Sequence, residues 1–383
     1  DAGARRDPAD KQGLAAQTVN LLNKGSTHLN KTELAEQLAD IGAQFNTEID
    51  ADMSVISVRT LSDVKLRNIA MKHLKTVLGE PAFDELQIKR ERSLSIGNIL
   101  QSNTEPSSIA FNALMSAIYA KHPYGYLSHG TEKSLNNIQR GDILKFYTQY
   151  YAEQQPIINI VGAITRTEAE QIANQLENTR PSLATLAAIE PVSLLTEAKK
   201  QFIPFPSSQT HIMLGMPLLK RHDADYYALV VGNYLLGGGG FDSRLNQEIR
   251  VNKGYAYSVY SDINPLFDAG PFVLNLQTKT ENVPLALDLM QTTLKKFIAE
   301  GPTEEEFQQA KNNYLGSFAL RTDNNQNILS YLSIIGFYGL KLSYLDDYEA
   351  AVKKLQRQDI TQAWQKRVNS EQFSVVVVGE KSK

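Results

Sequence analysis

An arginine and a tyrosine seven residues apart, Arg250 and Tyr257, are the side chains of this sequence whose types and spacing best suit ligand binding. Arginine presents a rigid fork of hydrogen-bond donors, and tyrosine presents a hydroxyl on a rigid ring. Both follow a run of four glycines, within the stretch Leu235–Ser261. The spacing alone leaves two interpretations open, a binding pair or an arginine that caps a helix beside a tyrosine that packs in a strand.

Local patterns predict which elements position this pair. Apolar residues four apart within Ser243–Arg250 predict a short helix with its arginine near the C-terminal end. Gly254 is typical of a helix end. The two-residue alternation that follows, from 255 to 260, predicts a strand carrying Tyr257. The pair is therefore expected on adjoining elements.

Composition narrows the classes of function. A chain of 383 residues predicts two domains, and 42% hydrophobic with 21% charged residues is typical of a soluble globular protein. A net charge of −3 argues against nucleic-acid binding. No apolar run approaches the length of a membrane span, about 18 residues. Cysteine is absent, which excludes disulfides and thiolate metal sites, and the six histidines form no pair at helical spacing, so all are expected to be structural.

The order of predicted elements recurs along the chain. IQRGDI at Ile138 and LQRQDI at Leu355 each lead into a helix and then a strand that ends in glycine. Asp359 minus Asp142 is 217, and Gly379 minus Gly162 is also 217. The equal offsets predict an ancient duplication of one α+β unit. Apolar runs also predict a strand pair within Ala43–Leu61 and a buried strand at Pro156–Val161.

We therefore expect an α+β fold of two duplicated domains, each a mixed, mostly antiparallel sheet covered by helices. The proline-containing stretch Asn178–Val192 lacks an apolar stripe and is the best linker candidate. The predicted division is an N-terminal domain at 1–180, a linker at 181–195 and a C-terminal domain at 196–383.

The whole chain resembles the pitrilysin/insulinase family of zinc metallopeptidases, in its processing-peptidase-like branch. The residues that carry the resemblance are AGARRDPADKQGLA at the start, HPYG at His122, GTEKSL at Gly130, and LGGGGFDSRLNQEIRVNKGYAYSVYS. The resemblance implies that the two domains form one half of a clamshell whose chamber holds an unfolded peptide. The family also has an opening strand pair upstream of the point where this chain begins.

The same resemblance implies a lost zinc site. Active members carry H-x-x-E-H on the first helix, where two histidines bind zinc and the glutamate activates water. Alignment on Gly13-Leu14-Ala15 puts Ala16, Val19 and Asn20 at these positions. The third ligand, a later glutamate, is also missing, because no carboxylate occurs between 92 and 103. We therefore expect no metal in this chain and a zinc ion in a partner subunit.

Arg250 and Tyr257 match the family's substrate-binding pair, which hydrogen-bonds the peptide backbone and helps stabilise the oxyanion at the scissile carbonyl. In the non-catalytic subunit of the processing peptidase a glycine-rich loop at this place handles substrate. By resemblance the corresponding residues here are Gly237, Gly238, Gly239 and Gly240. A loop that merely ends a helix is an equally open interpretation.

The hypothesis from sequence is a non-catalytic subunit of a heterodimeric zinc metallopeptidase. Its expected partners are a zinc-bearing homologous subunit and a peptide or unfolded protein, bound as an added strand at a sheet edge. Nucleic acid and a membrane span are not expected, and resemblance to bacterial relatives suggests a periplasmic location. Two alternatives stay open, a structural scaffold of the same fold and an autonomous metallopeptidase.

Overall fold

The computed structural model describes residues 1–177, 185–193, 195 and 197–381. It has the predicted α+β composition, and within that part of the chain no helix is long and apolar enough to cross a membrane. In chain order the helices are α1 (Leu14–Leu22), α2 (Lys31–Asp40), α3 (Val64–Gly79), α4 (Glu85–Ser102), α5 (Pro106–Tyr119), α6 (Glu132–Asn137), α7 (Arg140–Tyr147), α8 (Arg166–Leu176), α9 (Tyr226–Asn233), α10 (Val283–Glu300), α11 (Glu304–Gly316), α12 (Asn325–Phe337), α13 (Tyr344–Lys354) and α14 (Arg357–Arg367). The strands are β1 (Gln44–Ile49), β2 (Ser54–Arg59), β3 (Lys200–Pro204), β4 (Gln209–Leu219), β5 (Ser258–Ile263), β6 (Gly270–Lys279) and β7 (Ser374–Gly379).

The chain folds into two compact units. One of the boundaries between them along the sequence falls between residues 189 and 190, inside the predicted linker. Linker residues 181–184 and 194 lie outside the described residues. Each unit also contains one segment from the other half of the sequence. The predicted domains at 1–180 and 196–383 do not include this exchange of segments. The first unit comprises Asp1–Gln101, Tyr126–Ile189 and Asn324–Leu340, and the second comprises Ser102–Gly125, Glu190–Asp323 and Lys341–Lys383.

The exchanged segments are equivalent helices of the two repeats, since α5 begins at Pro106 and α12 at Asn325, 219 residues later. In the second unit α5 packs on β4, where Leu114 is fully buried. Gly215 on β4 has no room for a side chain, because a Cβ there would lie 2.9 Å from Leu114 Cδ2. In the first unit the hydroxyl of Tyr338, just after α12, donates to the buried carboxylate of Asp52 at 2.8 Å.

Helix caps repeat along with the elements. The carboxylate of Asp142 accepts a hydrogen bond from the Gln139 backbone N–H at 2.9 Å, at the start of α7. The equivalent carboxylate of Asp359 accepts from Gln356 N–H at 2.8 Å, at the start of α14. Each aspartate thus satisfies a backbone donor at a helix N-terminus. The identical chemistry at positions 217 apart supports the predicted duplication.

The sheet of the first unit is a two-stranded antiparallel hairpin, with Gln44 opposite Arg59. The predicted strand pair forms, and a tight turn joins its strands because the Asp50 carboxylate accepts from the N–H groups of Asp52 and Met53 at 2.7 Å each. The strand predicted at Pro156–Val161 is wrong, since these residues join no ladder. An apolar run supplies strand-like composition but not the neighbouring strand that a ladder requires.

The second unit contains a five-stranded mixed sheet in the order β3-β7-β4-β6-β5. Only β3 and β7 run parallel, and the other described pairs are antiparallel. Alternate residues of β4 face opposite sides of the sheet. Gly215 meets α5 on one side, whereas Ile212 and Leu214 join the core on the other. That core contains Trp364 of α14, whose ring packs edge-on against Phe297 of α10.

Candidate functional site

Helix α1 carries the three positions that the resemblance assigns to the zinc motif. Ala16 is 2% exposed and Val19 is 0% exposed, so both serve as packing residues. The side-chain oxygen of Asn20 accepts a hydrogen bond from Thr47 Oγ1 at 3.1 Å. Among residues 1–177, 185–193, 195 and 197–381, no group of three His, Cys, Asp or Glu side chains could hold a metal ion. This helix therefore offers packing atoms and one amide where a zinc site needs imidazole and carboxylate.

A buried carboxylate fixes the start of α1. The side chain of Asp7 accepts hydrogen bonds from the backbone N–H groups of Gly13 and Ala15, at 2.7 Å each. Burial raises the pKa of Asp7 to about 7, while these hydrogen bonds oppose the shift. The residue that orients this helix is thus itself titratable near neutral pH.

The glycine run in the second unit is ordered and partly helical. Gly237 and Gly238 belong to a π-helical turn, Tyr234–Gly238, which directly continues α9. Gly237 lies against β5, where a Cβ would come within 2.5 Å of the Ser261 backbone nitrogen. Gly240 has φ of +71°, a conformation that favours glycine and turns the chain sharply.

The outer edge of β5 is covered by the chain itself. Asn246 Nδ2 donates to the Val259 carbonyl at 2.8 Å, and Asn233 Nδ2 donates to the Ser261 carbonyl at 3.3 Å. All four residues are buried. These amides replace the hydrogen bonds that an added strand would make, so β5 does not offer a free edge to an extended peptide.

The predicted short helix forms as a second π-helical segment, Asn246–Val251, with Arg250 near its C-terminal end. The guanidinium carbon of Arg250 is 4.8 Å from the centre of the Phe241 ring. In the described part of the chain its donors have no hydrogen-bond or ion-pair partner. The charged fork is therefore held by one aromatic face, with its N–H groups available.

Arg244, six residues earlier, has the opposite arrangement. Its Nε and one terminal nitrogen bind both carboxylate oxygens of Glu306, at 3.0 and 2.5 Å. The same terminal nitrogen donates to the Gly301 carbonyl at 3.1 Å, and the guanidinium stacks on Phe297 at 5.0 Å. Arg244 thus stabilises the second unit through its hydrogen bonds, whereas the donors of Arg250 remain available to a ligand.

Tyr257 precedes β5 and is 48% exposed. Its backbone N–H donates to the Gln277 carbonyl at 2.9 Å, whereas its hydroxyl has no partner among the described residues. Tyr257 lies one residue before the strand that was predicted to carry it. The segment of Arg250 and β5 nevertheless adjoin, because Gly254 ends the helical turn with φ of +66° and Tyr255 N–H donates to the Ile249 carbonyl at 2.9 Å. The structure thus provides two available donor side chains on adjoining segments.

Phe241 also belongs to the candidate site, although no sequence pattern singled it out. Its ring is 65% exposed although it is large and apolar, and it directly follows the glycine run. The sequence offered one weak signal for this role, the position of Phe241 between Gly240 and the segment that carries Arg250. Only the contact between the ring and the guanidinium makes the role visible.

The fold matches that of known proteins. The model of the insulinase family (peptidase family M16) matches residues 1–132, and that of the peptidase M16 inactive domain matches residues 137–314. The crystal structure of a peptidase M16 inactive domain from Pseudomonas fluorescens superposes with a TM-score of 0.94 at 33% identity, over 100% of this chain and 91% of that one. The chain belongs to peptidase family M16.

Further relatives define its place within that family. A "non-peptidase homolog YmxG" of Helicobacter pylori is 24% identical over 388 residues, covering 100% of this chain and 88% of that protein. The periplasmic protease PqqL of Escherichia coli has the same fold, with a TM-score of 0.78 at 16% identity over 99% of this chain and 42% of that one. With Ala16, Val19 and Asn20 in place of the zinc motif, this chain is a non-catalytic member of the family.

Proposed function

We propose that this chain is the non-catalytic subunit of a heterodimeric zinc metallopeptidase and binds peptides for a zinc-bearing homologous partner. The single observation that carries the proposal is a contrast between two places in the chain. Helix α1 has side chains that do not bind metal at the zinc-motif positions, whereas the side-chain donors of Arg250 and Tyr257 have no hydrogen-bond partner among the described residues. A subunit that cannot cleave has kept, on adjoining elements, the groups that hold a peptide backbone.

The chemistry assigned to the pair is hydrogen bonding to a carbonyl. Arg250 donates from its guanidinium edge and Tyr257 from its hydroxyl, to a peptide carbonyl next to the bond that the partner cleaves. Donors of this kind bind more strongly as negative charge develops on that oxygen. Their loss therefore reduces turnover as well as affinity.

The peptide reaches these donors without joining β5, whose edge is closed by Asn233 and Asn246. Of the four predicted substrate-binding glycines, Gly238 and Gly240 are exposed, and their bare backbone allows close approach of a second chain. Gly237 is buried and Gly239 half-buried, so we assign them to the support of this surface. The remaining edge strand of this sheet is β3.

The compartment proposed for this complex is the periplasm. The support is the fold shared with the periplasmic protease PqqL, together with a sequence that lacks cysteine. A tagged chain expressed from its full gene and fractionated by osmotic shock tests this assignment, and recovery with cytoplasmic markers contradicts it.

The functional test combines the chain with a zinc-bearing M16 subunit of the same organism and measures hydrolysis of an internally quenched peptide. Arg250→Ala and Tyr257→Phe are expected to lower kcat by about a hundred- to a thousandfold, the range found when single oxyanion donors are removed. Lys253→Ala and Tyr260→Phe are matched controls, because both side chains are exposed and lie nearby in sequence.

Turnover that is unchanged in both site variants rules out the proposed role and favours a structural scaffold of the same fold. Hydrolysis by this chain alone, abolished by a chelator, would instead favour the autonomous peptidase. Zinc content measured on each purified subunit assigns the metal.

A further inference from the structure

We infer that Phe241 is a positioning residue, which the glycine run places over Arg250 so that the guanidinium faces the peptide in a fixed orientation. The inference rests on the proposed function of Arg250 and adds a role for Phe241 and for the adjoining turn. It also explains why a large apolar ring with 65% exposure stands at this point of the chain.

The turn that carries Phe241 is held by its own hydrogen bonds. Ser243 Oγ donates to the Gly240 carbonyl at 2.6 Å, and Gln247 Nε2 donates to the Phe241 carbonyl at 2.8 Å. Gly240 adopts φ of +71°, which a residue with a side chain rarely adopts. The backbone on both sides of Phe241 is thus held, and the turn at Gly240 sets the point from which its ring extends.

The ring restricts Arg250 without consuming its donors. A guanidinium held over an aromatic face by a cation–π contact, as Arg250 is at 4.8 Å from the Phe241 ring centre, keeps its N–H groups free for other acceptors. A salt bridge such as that of Arg244 with Glu306 would fix the side chain but occupy those donors. An unrestrained arginine would instead lose rotamer entropy on binding a peptide. Stacking on Phe241 therefore preorganises the fork.

The interaction predicts an effect of modest size. An exposed cation–π contact is worth about 0.5–1 kcal/mol, which corresponds to about a two- to fivefold change in affinity. Phe241→Leu keeps an apolar side chain and removes the ring, so it should weaken peptide binding two- to fivefold. Phe241→Tyr keeps the ring face and should bind like the wild type. Gly240→Ala displaces the ring and should resemble Phe241→Leu.

Two readouts test this inference. The first is the 15N–1H spectrum of the arginine side chains, in which the Arg250 Nε–H signal is assigned by its loss in Arg250→Lys. An aromatic ring current shifts that signal in the wild type and in Phe241→Tyr, and the shift is expected to vanish in Phe241→Leu. The second is the binding of a fluorescent unfolded peptide to the complex with the zinc-bearing subunit, including the double variant Phe241→Leu/Arg250→Ala.

Positioning predicts that Phe241→Leu weakens binding in the wild-type background and has no further effect once Arg250 is alanine. An Arg250 signal that is unchanged in Phe241→Leu overturns the inference. The inference is also overturned if Arg250→Ala lowers the peptide affinity but Phe241→Leu does not change it. That result would exclude the positioning role of Phe241 and would not contradict the proposed function. If Arg250→Ala itself has no effect on binding or turnover, both fail together.

Discussion

The side-chain amide of Asn246 donates a buried hydrogen bond of 2.8 Å to the carbonyl of Val259, and this bond joins the segment of Arg250 to the strand that follows Tyr257. Asn246 is the first residue of the π-helical segment that Arg250 nearly ends. This amide therefore helps to close the sheet edge, together with that of Asn233, and holds the helical segment against it.

Asn246→Ala should destabilise the protein by about 1–3 kcal/mol, because the buried Val259 carbonyl loses its donor. Urea unfolding followed by circular dichroism measures the loss. Asn252→Ala is the matched control, since Asn252 is exposed and its replacement should change the unfolding free energy by less than about 0.5 kcal/mol. Equal effects of the two substitutions would contradict the role given to Asn246.

The two arginines of this segment should separate stability from function. Arg244→Ala is expected to cost about 1–3 kcal/mol, less than a fully buried pair, because the Glu306 side chain is 33% exposed. Arg250→Ala loses one exposed cation–π contact and should cost less than about 1 kcal/mol. Thermal and urea unfolding of both variants provide the comparison. A larger loss for Arg250 would mean that its primary role is structural.

Restoring the zinc motif should damage α1 rather than create a metal site. Val19 is 0% exposed, so Val19→Glu places a carboxylate in the core and should destabilise by more than about 3 kcal/mol. The triple variant Ala16→His/Val19→Glu/Asn20→His still lacks a carboxylate between 92 and 103. Its melting temperature should therefore not rise with added zinc, and a rise of several degrees would contradict the packing argument.

Asp7 should make stability depend on pH in an unusual direction. The raised pKa of about 7 means that the folded chain keeps a proton that the unfolded chain loses above pH 3.8. This contribution is fully present below pH 3.8 and is lost as the pH rises through about 7, with a slope of at most about 1.4 kcal/mol per pH unit. Asp7→Asn should remove the slope, while Asp10→Asn, at an exposed site, should keep it. A carboxyl 13C signal of Asp7 that titrates below pH 4 would refute this.

The exchange of helices can be tested through Leu114, which belongs to the first half of the sequence but packs on β4 of the second unit. Leu114→Ala should cost about 2–5 kcal/mol because a fully buried side chain leaves a cavity. Hydrogen exchange should accelerate first in β4 and β7, on which α5 packs. Leu135→Ala, equally buried in the first unit, should instead accelerate exchange in α1 and α7. The same protection pattern in both variants would argue against the exchange.

Features with local causes were predictable from the sequence. The hairpin turn at Asp50 and the helix starts at Asp142 and Asp359 follow from side chains that bond backbone groups within three residues. The adjacency of Arg250 and Tyr257 was predictable for the same reason, because only Gly254 and a short turn separate their elements.

Features that depend on distant partners were not predictable. The apolar run at Pro156–Val161 lacks the ladder partner that a strand needs, and no local pattern reports this absence. The π-helical geometry around Arg250 was missed because apolar residues four apart fit an α-helix equally well. Asn246 and Phe241 became visible only through contacts with Val259 and Arg250.

The central place of β7 has a consequence for biosynthesis. Val378 of β7 pairs with His211 of β4, 167 residues earlier, and Gly379 pairs with Pro204 of β3. Contacts this distant make folding slow. The sheet of the second unit cannot close until the ribosome has released residues 374–379, and until then the backbone groups of β3 and β4 that pair with β7 remain unpaired. A nascent chain stalled before β7 is therefore the form of this protein that most needs a chaperone.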